Sequence, residues 1–132
     1  MKRVIIISVI FALFLSLAAF ELVFSTKLYT DLKNNLIELS IEMEKKENKE
    51  DKNSEKALSI MDQTIERWNE GKKVVFLFGN TTLLRSVDDR LLTLNAVVKS
   101  HHPDDFPVAL ASAKGIISAV LNDTHPNLTN LL

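Results

Sequence analysis

A run of seventeen uncharged residues, Val4 to Phe20, follows directly on Lys2 and Arg3, and nothing later in the chain resembles it. Its only polar residues are Ser8 and Ser16, whose hydroxyls can each bond back to a helix carbonyl. At 1.5 Å per residue the run is roughly 26 Å long, slightly short of a hydrocarbon core of about 30 Å. Leu22, Val23 and Phe24 extend it past Glu21, whose carboxylate then falls about one turn from the outer edge, within reach of the headgroups. Residues 1–24 therefore read as a transmembrane anchor. The two leading cations keep the N-terminus in the cytoplasm, so the bulk of the chain is expected outside the cytoplasmic membrane.

The rival reading is a cleaved signal peptide. It needs a positive start, a shorter apolar stretch and small residues at the cut, and Ser16-Leu17-Ala18 before Ala19 offers such a site. The anchor is preferred because apolar and aromatic residues continue well past it. A lipid-modified cysteine is excluded, since the chain has no cysteine at all. The same absence removes disulfides, thiol nucleophiles and zinc–thiolate sites, so stability outside the membrane must come from packing. A formal net charge of −1 leaves no basic face for nucleic acid. Three Gly and three Pro in 132 residues are too few for an all-β fold rich in tight turns.

Beyond the anchor the apolar residues keep helical time. Leu28, Leu32, Leu36, Leu39 and Met43 form one stripe, which Tyr29, Ile37 and Ile41 are expected to widen into a face needing cover. No breaker separates residues 25–43 from the anchor, so one helix is expected to run through both. Residues 44–55 hold only Glu, Lys, Asn, Asp and Ser and read as a charged hinge closing a hairpin. Residues 56–122 supply the remaining helices, and 123–132 a C-terminal tail. Ser54 is the expected cap of a helix carrying Ala57, Leu58, Met61, Ile65 and Trp68, whose buried end is Val74-Val75-Phe76-Leu77-Phe78. Gly71 weakens this helix by about 1 kcal/mol relative to alanine.

Gly79 and Asn80 stop it, and Thr81 or Thr82 caps the next, with Leu84, Val87, Leu91, Leu94 and Val98 on one face and Asp88, Asp89, Arg90 and Lys99 on the other. His101-His102-Pro103 breaks that helix. Asp104 or Asp105 caps the last, which has Pro107 in its first turn and carries Phe106, Leu110, Ala113, Ile117 and Val120. Ala109, Ala111, Gly115 and Ala119 make it thin enough for a neighbour to approach closely. The expected fold is all-α: a transmembrane helix extending into an antiparallel bundle of three to four helices.

The stretch Ala57-Leu58-x-x-Met61 up to Glu66-Arg67-Trp68, followed by Val87-Asp88-Asp89-x-Leu91-x-x-Leu94 behind a basic start, an anchor and a hinge, resembles an uncharacterised bacterial domain-of-unknown-function family, numbered 4363. The resemblance implies a short membrane-anchored helical protein and carries no catalytic residues. Phe76, Phe78 and the Gly79-Asn80 break depart from the more polar, continuous stretch expected there.

His101, His102, Asp104 and Asp105 form the one local cluster with metal-ligand chemistry. Adjacent histidines in an extended turn diverge, a third ligand must come from elsewhere, and His125 belongs to the opposite end of a simple bundle. No metal or cofactor is assigned. Asp88-Asp89-Arg90 reads as a solvated helix face, because helix neighbours point about 100° apart and do not converge on one atom. Trp68 falls on the core stripe rather than on a ligand platform. No phosphate loop, serine elbow or cysteine–histidine pair is present. The expected function is a non-enzymatic, membrane-anchored module that binds another protein or itself. The alternatives are a small-ligand-binding bundle around Trp68, Phe76 and Phe78 and, last, a metal-dependent hydrolase around the histidines.

Overall fold

A single helix, α1, runs without interruption from Lys2 to Lys46, and its 45 residues change environment halfway. The computed structural model describes residues 1–46, 52–100 and 104–124. Three further helices follow: α2 (Lys52–Phe78), α3 (Thr81–Lys99) and α4 (Phe106–Thr124). Every residue from Met1 to Phe20 is exposed, whereas Ser25, Leu28, Tyr29, Leu32, Leu36 and Leu39 are buried. The first half projects beyond the rest of the protein, and the second half is one stave of a bundle. Ser8 and Ser16 donate to the carbonyls of Val4 and Ala12 at 2.8 and 2.9 Å, so neither hydroxyl breaks the apolar surface.

The register is antiparallel and can be read from the cross-helix contacts. Glu42 meets Lys56, Asp31 meets Arg67, and Leu28 packs on Gly71, so the numbers fall along α1 as they rise along α2. Lys99 meets Asp62 and Asp88 meets Lys72, giving the same relation between α2 and α3. Arg90 of α3 donates to Ser112 of α4. Among the described residues, α1 packs on α2 and α4, and α3 also packs on α2 and α4, with no diagonal contact. This is the square section of an up-down-up-down four-helix bundle.

The expected stripes fill its centre. All five apolar residues expected on α3 are buried, as are Ala57, Met61 and Trp68 of α2 and Phe106, Leu110, Ala113, Ile117 and Val120 of α4. Ile37 and Ile41 differ: they are 41% and 47% exposed and face outward, because the bundle covers a narrower stripe of α1 than a full amphipathic face. The Val74–Phe78 run is helical, but only Val75 is fully buried. Leu77 is 77% exposed and Phe78 37%, since α2 ends where α3 turns away and no fourth wall closes over them.

The helix ends also correct the sequence reading. α1 continues to Lys46 and α2 begins at Lys52, so both helices enter the expected 44–55 hinge, and residues 47–51 lie outside the described residues. Ser54 falls inside the first turn of α2 rather than before it. The cap of α3 is Asn80, not a threonine: its Oδ1 accepts from the backbone N–H groups of Thr82 and Leu83 at 3.0 and 3.4 Å. The Asp105 carbonyl accepts from the N–H of Ala109, which makes Asp105 the residue that opens α4. α4 runs through Thr124, two residues into the expected tail.

Gly71 has a packing reason. A Cβ there would stand 2.6 Å from both Cδ atoms of Leu28, which is itself fully buried, so glycine lets α1 and α2 close on each other. At Gly115 nothing lies within 4 Å of an added Cβ. Propensity alone favours alanine at both sites by about 1 kcal/mol, but overpacking a tight core costs about 1–3 kcal/mol. Gly71→Ala is therefore expected to lower the bundle's unfolding free energy and Gly115→Ala to raise it, both read by denaturant melts of the full chain in detergent. A stabilising Gly71→Ala would contradict the close α1–α2 contact.

Candidate functional site

Where α1 leaves the bundle, four helices bring polar groups to one level. Glu21, Ser25 and Tyr29 come from α1, Asn80 from the α2–α3 turn and Asp123 from the end of α4. With Val75, Gly79, Leu83, Leu84 and Val120 they line a cavity of about 20 Å³. That is room for about one water and nothing larger. A ring of polar groups around a water-sized space suits a wet end-plug for the core rather than a substrate site.

Tyr29 shows what burial does there. It is 2% exposed, and desolvation, reinforced by the negative charge of Glu21, pushes its phenol well above the ordinary value of 10.0. Folding thus favours the neutral phenol, so this contribution to stability is intact below pH 10 and is lost as pH rises beyond it. At the opposite end of the bundle, Glu42 is 4% exposed. Its hydrogen bond and charge pairing with Lys56 at 3.1 Å, helped by Lys45 at 3.5 Å, hold its carboxyl below the ordinary 4.5 despite that burial.

Between the two ends lies a buried tryptophan that links α2 to α3. Trp68 is 1% exposed, tilts against Phe76 at a centroid distance of 6.5 Å, and donates from Nε1 to Asp88 Oδ1 at 2.9 Å. Lys72 donates to the same oxygen at 3.2 Å. Asp88 is therefore half-buried at the α2–α3 seam, not on a solvated face. Asp89 stays exposed, and Arg90 reaches across to Ser112. The triplet points to three surroundings, as the 100° step requires, and no pair of carboxylates converges.

The expected metal cluster is only partly within view. Asp104 and Asp105 are exposed at the start of α4. His101, His102 and His125 lie outside the described residues. The 19 residues of α4 run about 28 Å at 1.5 Å each, from Phe106 to Thr124. Among the described residues no group of three or more His, Asp or Glu side chains is placed to hold a metal ion. The aromatic lining expected of a ligand site does not assemble either: Trp68 and Phe76 pack together, while Phe78 sits at the exposed turn.

Sequence reasoning passed over Asp88, Glu42 and the Glu21–Tyr29–Asn80–Asp123 plug, because each takes its role from a partner on another helix. One signal was available: a tryptophan on a core stripe needs an acceptor for its N–H, and Asp88 is the acid one helix on.

With the geometry in hand, the chain defines a class: an all-helical four-stave bundle whose first helix is long and apolar enough to cross a membrane, a property it shares with signal sequences. Compared with family models, with curated proteins and with solved structures, the chain finds no match.

Two outcomes are expected. Asp88→Ala strands the Trp68 N–H and should cost about 1–3 kcal/mol in a denaturant melt, with Asp88→Asn recovering most of it and Trp68→Phe abolishing the difference between them. Tyr29 is the only tyrosine, so phenolate absorbance should stay flat through pH 10 and rise only as helix content falls. Ionisation at pH 10 with the helices intact would refute its burial.

Proposed function

We propose that this chain is a non-enzymatic protein anchored in the cytoplasmic membrane, whose bundle stands outside that membrane and serves as an interaction or assembly module. One observation carries the reading. α1 passes from wholly exposed apolar residues to the bundle core within a few residues of Ser25 and without a break, so the packed domain is built directly on its own anchor. An apolar surface of that extent is stable only in lipid or against another protein. Lys2 and Arg3 ahead of the run favour a cytoplasmic N-terminus. The buried apolar core and the water-sized cavity at its anchor end favour binding at the outer surface over turnover inside it.

The surface of α4 supports the interaction reading. Ala109 and Ala113 face inward, but Ala111, Gly115 and Ala119 face outward beside Val108, which is 74% exposed. The small residues of this helix are thus largely on the outside, where a second helix can lie close.

The test uses the full chain in intact cells. Because the protein has no cysteine, Ala111→Cys supplies a single reactive site on that face. It is expected to give a discrete cross-linked species that Gly115→Leu suppresses, while Glu70→Cys on exposed α2 gives none. A chain recovered only as an uncross-linked monomer overturns the interaction reading. Protease added outside whole cells should remove the part beyond Ser25. Protection until the cells are lysed would invert the orientation.

A further inference from the structure

Among the described residues, the end of the bundle nearest the anchor carries exposed apolar side chains. Leu77 and Phe78 are the last residues of α2, and at 77% and 37% exposure they form an apolar tip. Their level is fixed by the small cavity, where Gly79 and Asn80, the next two residues, share a lining with Glu21 and Ser25 of α1. The tip therefore stands at the level of Leu22 and Val23, which are 36% and 69% exposed, where α1 leaves the bundle. A separate open trough lies on α1 alone, lined by Leu22 and Val23 at one end with Lys27 further along.

Charge is graded along the axis. Lys73 lies six residues before Gly79 and Arg85 five after Asn80, about 9 and 8 Å up the bundle, and Lys27 lies two residues beyond Ser25. All three are exposed cations. The carboxylates at the level of the tip, Glu21 and Asp123, line the polar cavity, and Lys72 is held by Asp88. Apolar tip first, cations about 3–9 Å behind it: that order matches acyl-chain boundary and phosphate in a bilayer leaflet.

We propose that the α2–α3 turn is a lipid contact: Leu77 and Phe78 dip into the outer leaflet beside α1, with Lys27, Lys73 and Arg85 at the phosphate level. The inference rests on the anchored reading above, and adds that the bundle is seated on the bilayer rather than held clear of it. With α1 as a single post, a second contact at the turn fixes which sides of the bundle face along the membrane, and leaves the outer face of α4 open to a neighbour.

The absence of cysteine makes the test direct. Single-cysteine variants of the full chain, Leu13→Cys, Leu77→Cys, Phe78→Cys and Leu92→Cys, are nitroxide-labelled and reconstituted in vesicles of phosphatidylcholine with a minority of phosphatidylglycerol. Collision with oxygen, which partitions into lipid, is compared with collision with a water-soluble nickel chelate. Leu92, exposed on α3 well up the bundle, gives the aqueous value and Leu13 the bilayer value. The Leu77 and Phe78 labels are expected to show an oxygen-to-nickel ratio several-fold above that of Leu92. A ratio at Leu77 equal to that of Leu92, with Leu13 in lipid, overturns the lipid contact and leaves the anchor standing. Shielding of Leu77 from both reagents means a protein covers it and also overturns the proposal. An aqueous ratio at Leu13 overturns the anchor and the lipid contact together.

Discussion

The structure depends on one rod with two kinds of apolar surface. α1 contains neither Gly nor Pro, so nothing in its 45 residues licenses a kink. Up to Phe20 it is apolar all round, and beyond Ser25 it is apolar only along Leu28, Leu32, Leu36 and Leu39. The first pattern suits an apolar environment on every side, and the second needs cover on one side, which α2 and α4 supply. No linker separates the two demands. Phe20 and Phe24, stacked at 5.7 Å, bridge the change of surroundings, and the other helices are registered to it.

Lacking disulfides, the bundle is held by shape and by a few polar links at helix seams. Leu28 against Gly71 sets how closely α1 and α2 approach, and Arg67 with Asp31 at 3.3 Å marks the same seam from outside. Trp68 and Asp88 do the equivalent for α2 and α3. Exposed ion pairs contribute little in water, so the Trp68 link matters chiefly because removing the acceptor leaves a buried N–H unmatched. Glu42 works differently. Its charge is buried, and Lys56 is what makes that burial tolerable.

What the sequence reveals and what it conceals divide along one line. Stripes were legible because helical period alone decides them, and α3 came out residue for residue. The helix long and apolar enough to cross a membrane was legible because no other run of seventeen residues in the chain lacks charge. Ile37 and Ile41 were misplaced because period gives the centre of a face but not its width, which depends on how many helices close over it. Leu77 and Phe78 were misplaced because an apolar pentad reads as buried wherever it lies, and only the position of the α2–α3 turn exposes it. Asp88 looked solvated because its partner is twenty residues away on another helix. Asn80 was passed over as a cap because two threonines follow it, although the residue just outside the first turn is the one whose side chain reaches the free N–H groups.

The exposed residues then have a common logic. In a bundle free in water, an apolar tip at one end and a bare small-residue face along one side would be two unrelated liabilities. Set on an anchor, they are ordered in space: the tip lies at the anchor's exit, and the face of α4 runs away from it along the bundle's flank. A partner that itself rises from the same bilayer would meet α4 side-on, helix against helix, with its approach confined to the membrane plane. Confinement of that kind raises the effective concentration of two surfaces without any further contact between them, so a shallow face of alanine and glycine is sufficient for an association that would be too weak between free domains.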